Sequence, residues 1–173
     1  SLIEKVSQPL TGWLGHIKPF DFEVEYKPAN DINKFICGTP PIIAYKAIES
    51  GLEIFKDLSI IEIREKSTKL SEIFIQLMKQ ECTEFGFTLF SPKNSEQRGS
   101  QISFLHENAY SIIQALISHG IIGDYREPNV MRFGISPLYM RFEDVWNAIT
   151  CLREIMQTGE WQSEKFKNKN YVT

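Results

Sequence analysis

Little in this sequence announces chemistry through a ready-made motif. It has no glycine-rich phosphate loop, no His-Glu-x-x-His helix and no Gly-x-Ser-x-Gly elbow, so the usual signatures of P-loop nucleotide hydrolases, zinc proteases and α/β-hydrolases are missing. Histidine is scarce. His16, His106 and His119 lie far apart in sequence, which argues against a catalytic triad drawn from this chain. The cysteines, Cys37, Cys82 and Cys151, are odd in number and widely spaced; they make no zinc knuckle and cannot all pair with one another. Reduced, partly buried thiols in a cytoplasmic protein are the expectation. No apolar run is long enough to span a bilayer, and Ser1–Leu10 lacks the basic-then-apolar order of a signal peptide. Nor is there an excess of either charge. The net charge is −3 with acids and bases interspersed, which speaks against the concentrated basic surface that nucleic acid requires. The basic tail Lys165, Lys167, Lys169 reads as a solvated terminus.

What is present is the raw material of an ordinary globular fold: 173 residues, 42% apolar and 24% charged, enough to bury roughly 70% of the unfolded chain's surface. Residues 1–41 look incomplete by themselves. Leu2, Ile3 and Val6 suit a short helical face, but Gly12, Gly15, Pro19, Pro28, Asn30 and Asp31 follow, with Trp13, Phe20, Phe22 and Tyr26 among them. Turn-formers at that density predict a long ordered loop, packed on something else. The start without Met is compatible with a fragment or with a processed chain.

The character changes at Pro40-Pro41. Ile42, Ile43, Ala47, Ile48, Leu52 and Phe55 are spaced for one helix, with the prolines suited to its first turn. Asp57 or Ser59 can cap a second helix, whose face is Ile60, Ile63, Leu70, Ile73, Phe74 and Leu77. Phe87, Leu89 and then Ile102, Phe104 alternate as two strands around a polar connection, 91–99. Ala109–His119 is a helix stopped by Gly120, and Ile121-Ile122 begins another extended piece. Met131, Phe133 and Ile135 make a further strand. A last helix runs from about Phe142 to Gln157, with Val145, Trp146, Ile149, Leu152 and Met156 inward. The expected class is α+β: two long leading helices, then an antiparallel-rich sheet covered by helices on one face. Residues 1–41 form one region and 42–173 the other.

Three segments carry more residue choice than folding needs. In Asp124–Tyr139, Arg132 projects from the strand face opposite Met131 and Phe133, with Gly134 as its neighbour. Glycine in a strand often marks close approach of a ligand, and an arginine beside it suits a carboxylate gripped by two parallel hydrogen bonds. The plainer alternative, which periodicity alone favours, is a half-exposed strand arginine paired to an acid. In Gly12-Trp13-Leu14-Gly15-His16, glycines let the backbone approach while the indole N–H is offered as donor; the alternative is a packed aromatic with a satisfied histidine. Cys37-Gly38-Thr39-Pro40-Pro41 opens the first long helix, either as an anion site or as plain capping.

Taken in order, Gly-Trp-x-Gly-His, then Gly-Thr-Pro-Pro, then Asp-x-Arg-x-Pro-x-x-x-Arg-x-x-x-x-Pro-Leu-Tyr resemble the kynureninases, fold-type-I pyridoxal-phosphate (PLP) enzymes related to the aminotransferases. Leu52-Glu53-Ile54-Phe55, Arg64-Glu65-Lys66-Ser67 and Arg98-Gly99-Ser100-Gln101 agree, so the resemblance runs from about Gly12 to Leu152. The Asp-x-Arg-x-Pro block is shared with cysteine-desulfurase-like relatives, and the Gly-Trp-x-Gly-His block points to kynureninase.

The resemblance implies the small C-terminal domain of a cytoplasmic, homodimeric PLP enzyme, preceded by the tail of its large domain. That enzyme hydrolyses L-kynurenine, or 3-hydroxykynurenine, to anthranilate or 3-hydroxyanthranilate and L-alanine, in tryptophan catabolism and NAD biosynthesis. Trp13 and Thr39 match positions that hold the cofactor phosphate, the tryptophan reaching in from the opposite subunit. Arg132 matches the arginine that binds the substrate α-carboxylate. His16 and Gly38 match positions near the substrate. Met140 stands where the family often has Asn. The cofactor lysine has no match here, since Lys5, Lys18 and Lys27 lack its context, so the chain as given is expected to be inactive and free of cofactor. Two alternatives are a desulfurase or lyase, which would want a reactive cysteine in a mobile loop, and a cofactor-free α+β interaction domain.

Overall fold

A computed structural model describes residues 2–168, so Lys169 of the basic tail lies outside the described residues. The chain divides into two compact units, Ser1–Asp57 and Leu58–Thr173.

The first unit holds little regular structure, as its turn-formers predict. A four-residue helix α1, Leu2–Lys5, is followed by 3-10 turns at Trp13–Gly15 and Ile32–Phe35. Asp31 accepts a hydrogen bond from the Asn33 N–H and starts the second turn. Lys34, a buried lysine, sends its ammonium to the carbonyls of Ile3 and Val6, so its charge is spent on the end of α1. Helix α2, Ile42–Leu52, completes the unit. Its prolines lie ahead of the first turn rather than in it, with Pro41 at the N-cap. No residue of α2 is buried; Ile42, Ile43, Ile48 and Leu52 are all exposed. The periodicity gave the helix correctly, but no core within this unit receives the stripe. The composition shift at Pro40-Pro41 and the division at Asp57 are distinct boundaries, with α2 between them.

The second unit is α+β. Helix α3 spans Ile60–Glu81, and Ser59 decides between the two candidate caps by accepting from the Ile61 N–H at 3.3 Å. Strands β1 (Thr88–Leu89) and β2 (Gln101–Leu105) precede helix α4, Ala109–Ser118. Strands β3 (Asp124–Arg126) and β4 (Val130–Gly134) precede helix α5, Phe142–Thr158. The sheet runs β1-β2-β4-β3 with every neighbour antiparallel. Alternation along the strands puts Ile102, Phe104, Met131 and Phe133 into one apolar face. Helix α3 adds Leu70, Phe74, Leu77 and Met78, α4 adds Ile112, Ile113 and Leu116, and α5 adds Val145, Ile149, Leu152 and Ile155. Each fully buried aliphatic side chain contributes about 1.5–3 kcal/mol. Gly120 and Gly159, both at positive φ, end α4 and α5, the first as the sequence predicts.

Two residues expected in the core are outside it. Trp146 is 51% exposed, because the buried face of α5 centres on Val145, Ile149 and Leu152, and the position after Val145 turns away by about 100°. Ile60 is 71% exposed, since burial along α3 begins only at Ser67, almost two turns later.

His106 joins β2 to α4 through its ring. Nδ1 accepts from the Asn108 N–H at 3.0 Å, which makes Nε2 the donor to the Phe85 carbonyl at 3.0 Å. The ring lies 4.8 Å from that of Phe87. Burial pushes its pKa below the ordinary histidine value, against opposing effects of the Phe85 hydrogen bond and Glu107. A protonated ring would point an N–H at the Asn108 N–H. The folded state therefore binds the proton more weakly than the unfolded chain does, and stability present above the unfolded value drains away as pH falls below it. Urea titrations from pH 7.5 to 5 should show the unfolding free energy of the wild type falling more steeply than that of His106→Gln. Equal pH slopes would remove His106 from the account.

Candidate functional site

The first unit brings two of the three singled-out segments together. A Cβ on Gly12 would sit 2.4 Å from the Cys37 carbonyl oxygen, and one on Gly15 would sit 2.9 Å from the Tyr26 hydroxyl and 3.0 Å from the Ile36 carbonyl oxygen. Both glycines are therefore demanded by close approach of the Trp13 loop to the 34–37 segment. His16 holds the same loop from inside. It is buried, its Nδ1 accepts from the Lys18 N–H at 2.9 Å, and its Nε2 faces the Glu25 carbonyl at 3.3 Å. Tyr26, which the sequence did not single out as a functional position, donates to the Gly15 carbonyl at 3.1 Å.

This packing leaves Trp13 outward. The indole is 49% exposed and meets Phe20 edge-on at 5.4 Å; its N–H has no partner among the described residues. Trp13, His16, Phe22 and Tyr26 help line a cleft of about 280 Å³. Thr39 is exposed, and its hydroxyl likewise has no partner among the described residues. It does not cap α2, whose N-cap is Pro41, so the plain capping alternative falls away. Gly38 faces open space, with nothing within 4 Å of where a Cβ would be.

Arg132 belongs to the second unit. Met131 and Phe133 are buried and Arg132 points to the other face of β4, as alternation requires. Directly across the register on β3 is Asp124, which takes the Arg132 Nε–H at 3.0 Å and also accepts from Nη2 through the same oxygen, Oδ2. Nη1 has no partner among the described residues. Arg126 reaches that oxygen too, with Nη2 at 3.2 Å. Next to Arg132 on this face, Gly134 leaves open space where a side chain would be. Arg132 is thus paired to an acid on one edge and open on the other. Asp124 was quoted in the sequence but not singled out; the signal that finds it is the short 127–129 turn, which makes 124 and 132 cross-strand partners. The later Pro137-Leu138-Tyr139 turn closes through Met140 N–H donating to Ser136 O at 3.0 Å, a backbone bond indifferent to the side chain at 140.

Two of the three thiols lack the setting of a nucleophile. Cys82, at the end of α3, is buried and its pKa is pushed up to about 11, mainly by that burial; burial also raises Cys151. Only Cys37 is exposed. Lys18 and Lys27 are ion-paired with Asp21 and Glu23.

Residues 63–152 match a family model described as the kynureninase C-terminal domain. The chain is 43% identical to a kynureninase of Pseudomonas fluorescens over 172 residues, 99% of this chain and 41% of that protein. It is also 43% identical to a kynureninase of Burkholderia mallei (strain SAVP1) over 166 residues, 96% of this chain and 40% of the relative. It therefore spans about two fifths of the length of these curated relatives. Among solved structures, the apo cysteine desulfurase of Thermococcus onnurineus NA1 matches with a TM-score of 0.72 at 16% identity, over 91% of this chain and 41% of that one. A C-DES variant with glycine covalently linked to its PLP cofactor matches at 0.67 and 15% identity, over 88% and 39%. At such identities the structural likeness is one of fold. No helix among the described residues is long and apolar enough to cross a membrane.

Two outcomes follow from this geometry. Gly12→Ala should loosen the Trp13 loop, read as faster amide hydrogen exchange confined to residues 10–37; unchanged exchange there would mean that the Cys37 contact is not restrictive. In a thiol titration with Ellman's reagent, Cys37 should react first, with Cys82 modified only on unfolding. Prompt modification of Cys82 in the native protein would contradict its burial.

Proposed function

Because this chain belongs to the kynureninase family, we propose that it contributes the C-terminal domain and the substrate-carboxylate arginine of a PLP-dependent hydrolase. The whole enzyme, on this reading, is a cytoplasmic homodimer that cleaves L-kynurenine, or its 3-hydroxy form, to the corresponding anthranilate and L-alanine in tryptophan catabolism.

The observation that carries the reading is the half-open Arg132 fork beside the Gly134 gap. An α-carboxylate needs a planar pair of N–H donors, and the Nη1–Nη2 edge of a guanidinium offers one. Trp13 and Thr39 suit the cofactor phosphate for a related reason. An indole N–H and a hydroxyl, both exposed and without an internal acceptor among the described residues, are donors available to an anion. They are neutral, and so hold a phosphate without adding a cation to the site. When bound, PLP supplies an electron sink for charge that develops on the substrate during carbon–carbon cleavage. His16 serves by position: with both ring nitrogens engaged by its own loop, it fixes the backbone that presents Trp13. Gly38 leaves room beside Thr39 for a bound molecule. The raised thiols of Cys82 and Cys151 make the desulfurase alternative chemically weaker.

The test uses the whole enzyme with cofactor, followed by anthranilate fluorescence. Losing a hydrogen bond to a charged group costs about 1.5–3 kcal/mol, so Arg132→Ala should raise the KM for L-kynurenine about ten- to a hundred-fold with the melting temperature nearly unchanged. Arg132→Lys should fail to rescue, because it keeps the charge and loses the fork. Wild-type kinetics in Arg132→Ala would remove this residue from the substrate site.

A further inference from the structure

Asp124 and Arg132 face each other across the β3–β4 ladder, so the backbone hydrogen bonds of the sheet hold them opposite each other. Both Arg132 contacts fall on one carboxylate oxygen and use only the Nε–Nη2 edge. The guanidinium plane is thereby set, while the Nη1–Nη2 edge stays available. Arg126 lies two residues from Asp124, hence on the same face of β3, and its Nη2 is 3.2 Å from the same oxygen. Two guanidinium groups thus converge on one oxygen of the Asp124 carboxylate. The pair is roughly one-third exposed on each side, and a cross-strand pair of opposite charges contributes about 0.2–1 kcal/mol to a sheet.

We propose that Asp124 is a positioning residue that presets the Arg132 fork for the substrate carboxylate, and that Arg126 keeps the cluster cationic while Asp124 does so. This rests on the reading that Arg132 takes the α-carboxylate. Fixing a long, flexible side chain before the ligand arrives removes an ordering cost from binding. The inference has a sharp sign. Electrostatics alone says that removing the Asp124 charge leaves two uncompensated arginines and improves anion binding; presetting says that binding worsens.

The experiment compares Asp124→Ala, the near-isosteric Asp124→Asn and Arg126→Ala in the whole enzyme with cofactor bound, measuring KM and kcat for L-kynurenine together with the melting temperature. Asp124→Ala is expected to raise KM about tenfold with kcat held within about twofold. Asp124→Asn, whose amide oxygen still accepts a hydrogen bond, should raise KM less. Arg126→Ala should raise KM and make it less sensitive to salt, since one charge that attracts the substrate anion is gone. A merely structural Asp124 would lower the melting temperature and leave KM alone, and that result overturns the proposal. A lower KM in Asp124→Ala also overturns it, showing that the carboxylate competes with substrate. Failure of the underlying reading is separately visible: there, Arg132→Ala itself leaves KM unchanged.

Discussion

The alternation of side chains along Val130–Gly134 is the constraint on which the second unit depends. Met131 and Phe133 enter the face that α3, α4 and α5 cover, and this burial fixes the register of β2 and β3 against the strand. A slip of one residue would place Arg132 in the apolar layer and Met131 in the open, a change too costly to tolerate. The same choice that builds the core therefore delivers Arg132 to the opposite face. There, the neighbouring strand supplies Asp124 and the gap at Gly134 supplies room.

The first unit works by a different principle. It has too little regular structure to present residues from a rigid face, and it uses close approach and polar anchors instead. Gly12 and Gly15 let two loop segments touch through their backbones. His16, Tyr26 and Lys34 then tie the loops with side chain-to-carbonyl bonds. A histidine with Nδ1 accepting from the residue two ahead and Nε2 reaching a distant carbonyl appears at His16 and again at His106. In both places the ring locks a turn.

Much of the fold was legible because its periods are clean. The three helices of the second unit, strands β2 and β4 and the glycine stop at 120 stand where period and composition put them. The misses have two causes. Ile60 and the α2 stripe are apolar at helical spacing yet exposed, because periodicity marks a face without saying how far the covering layer extends; Trp146 is exposed because it stands one position round from the buried face of α5. Among the candidate site residues, the direction of Arg132 was readable from strand alternation. Its pairing with Asp124 needed the register as well, which the short turn and the burial of the neighbouring residues set together.

By itself the sequence determined the α+β class, the family and the side of the strand on which Arg132 stands, since these depend on local spacing and on motif text. Tertiary structure decided which edge of that guanidinium is spent and which is offered. It also decided that the His16 nitrogens are consumed by their own loop and that Thr39 is released from capping. Those outcomes depend on distances of a few ångströms between residues remote in sequence, and hydrogen-bond partners at that range are chosen by packing, which no local pattern records.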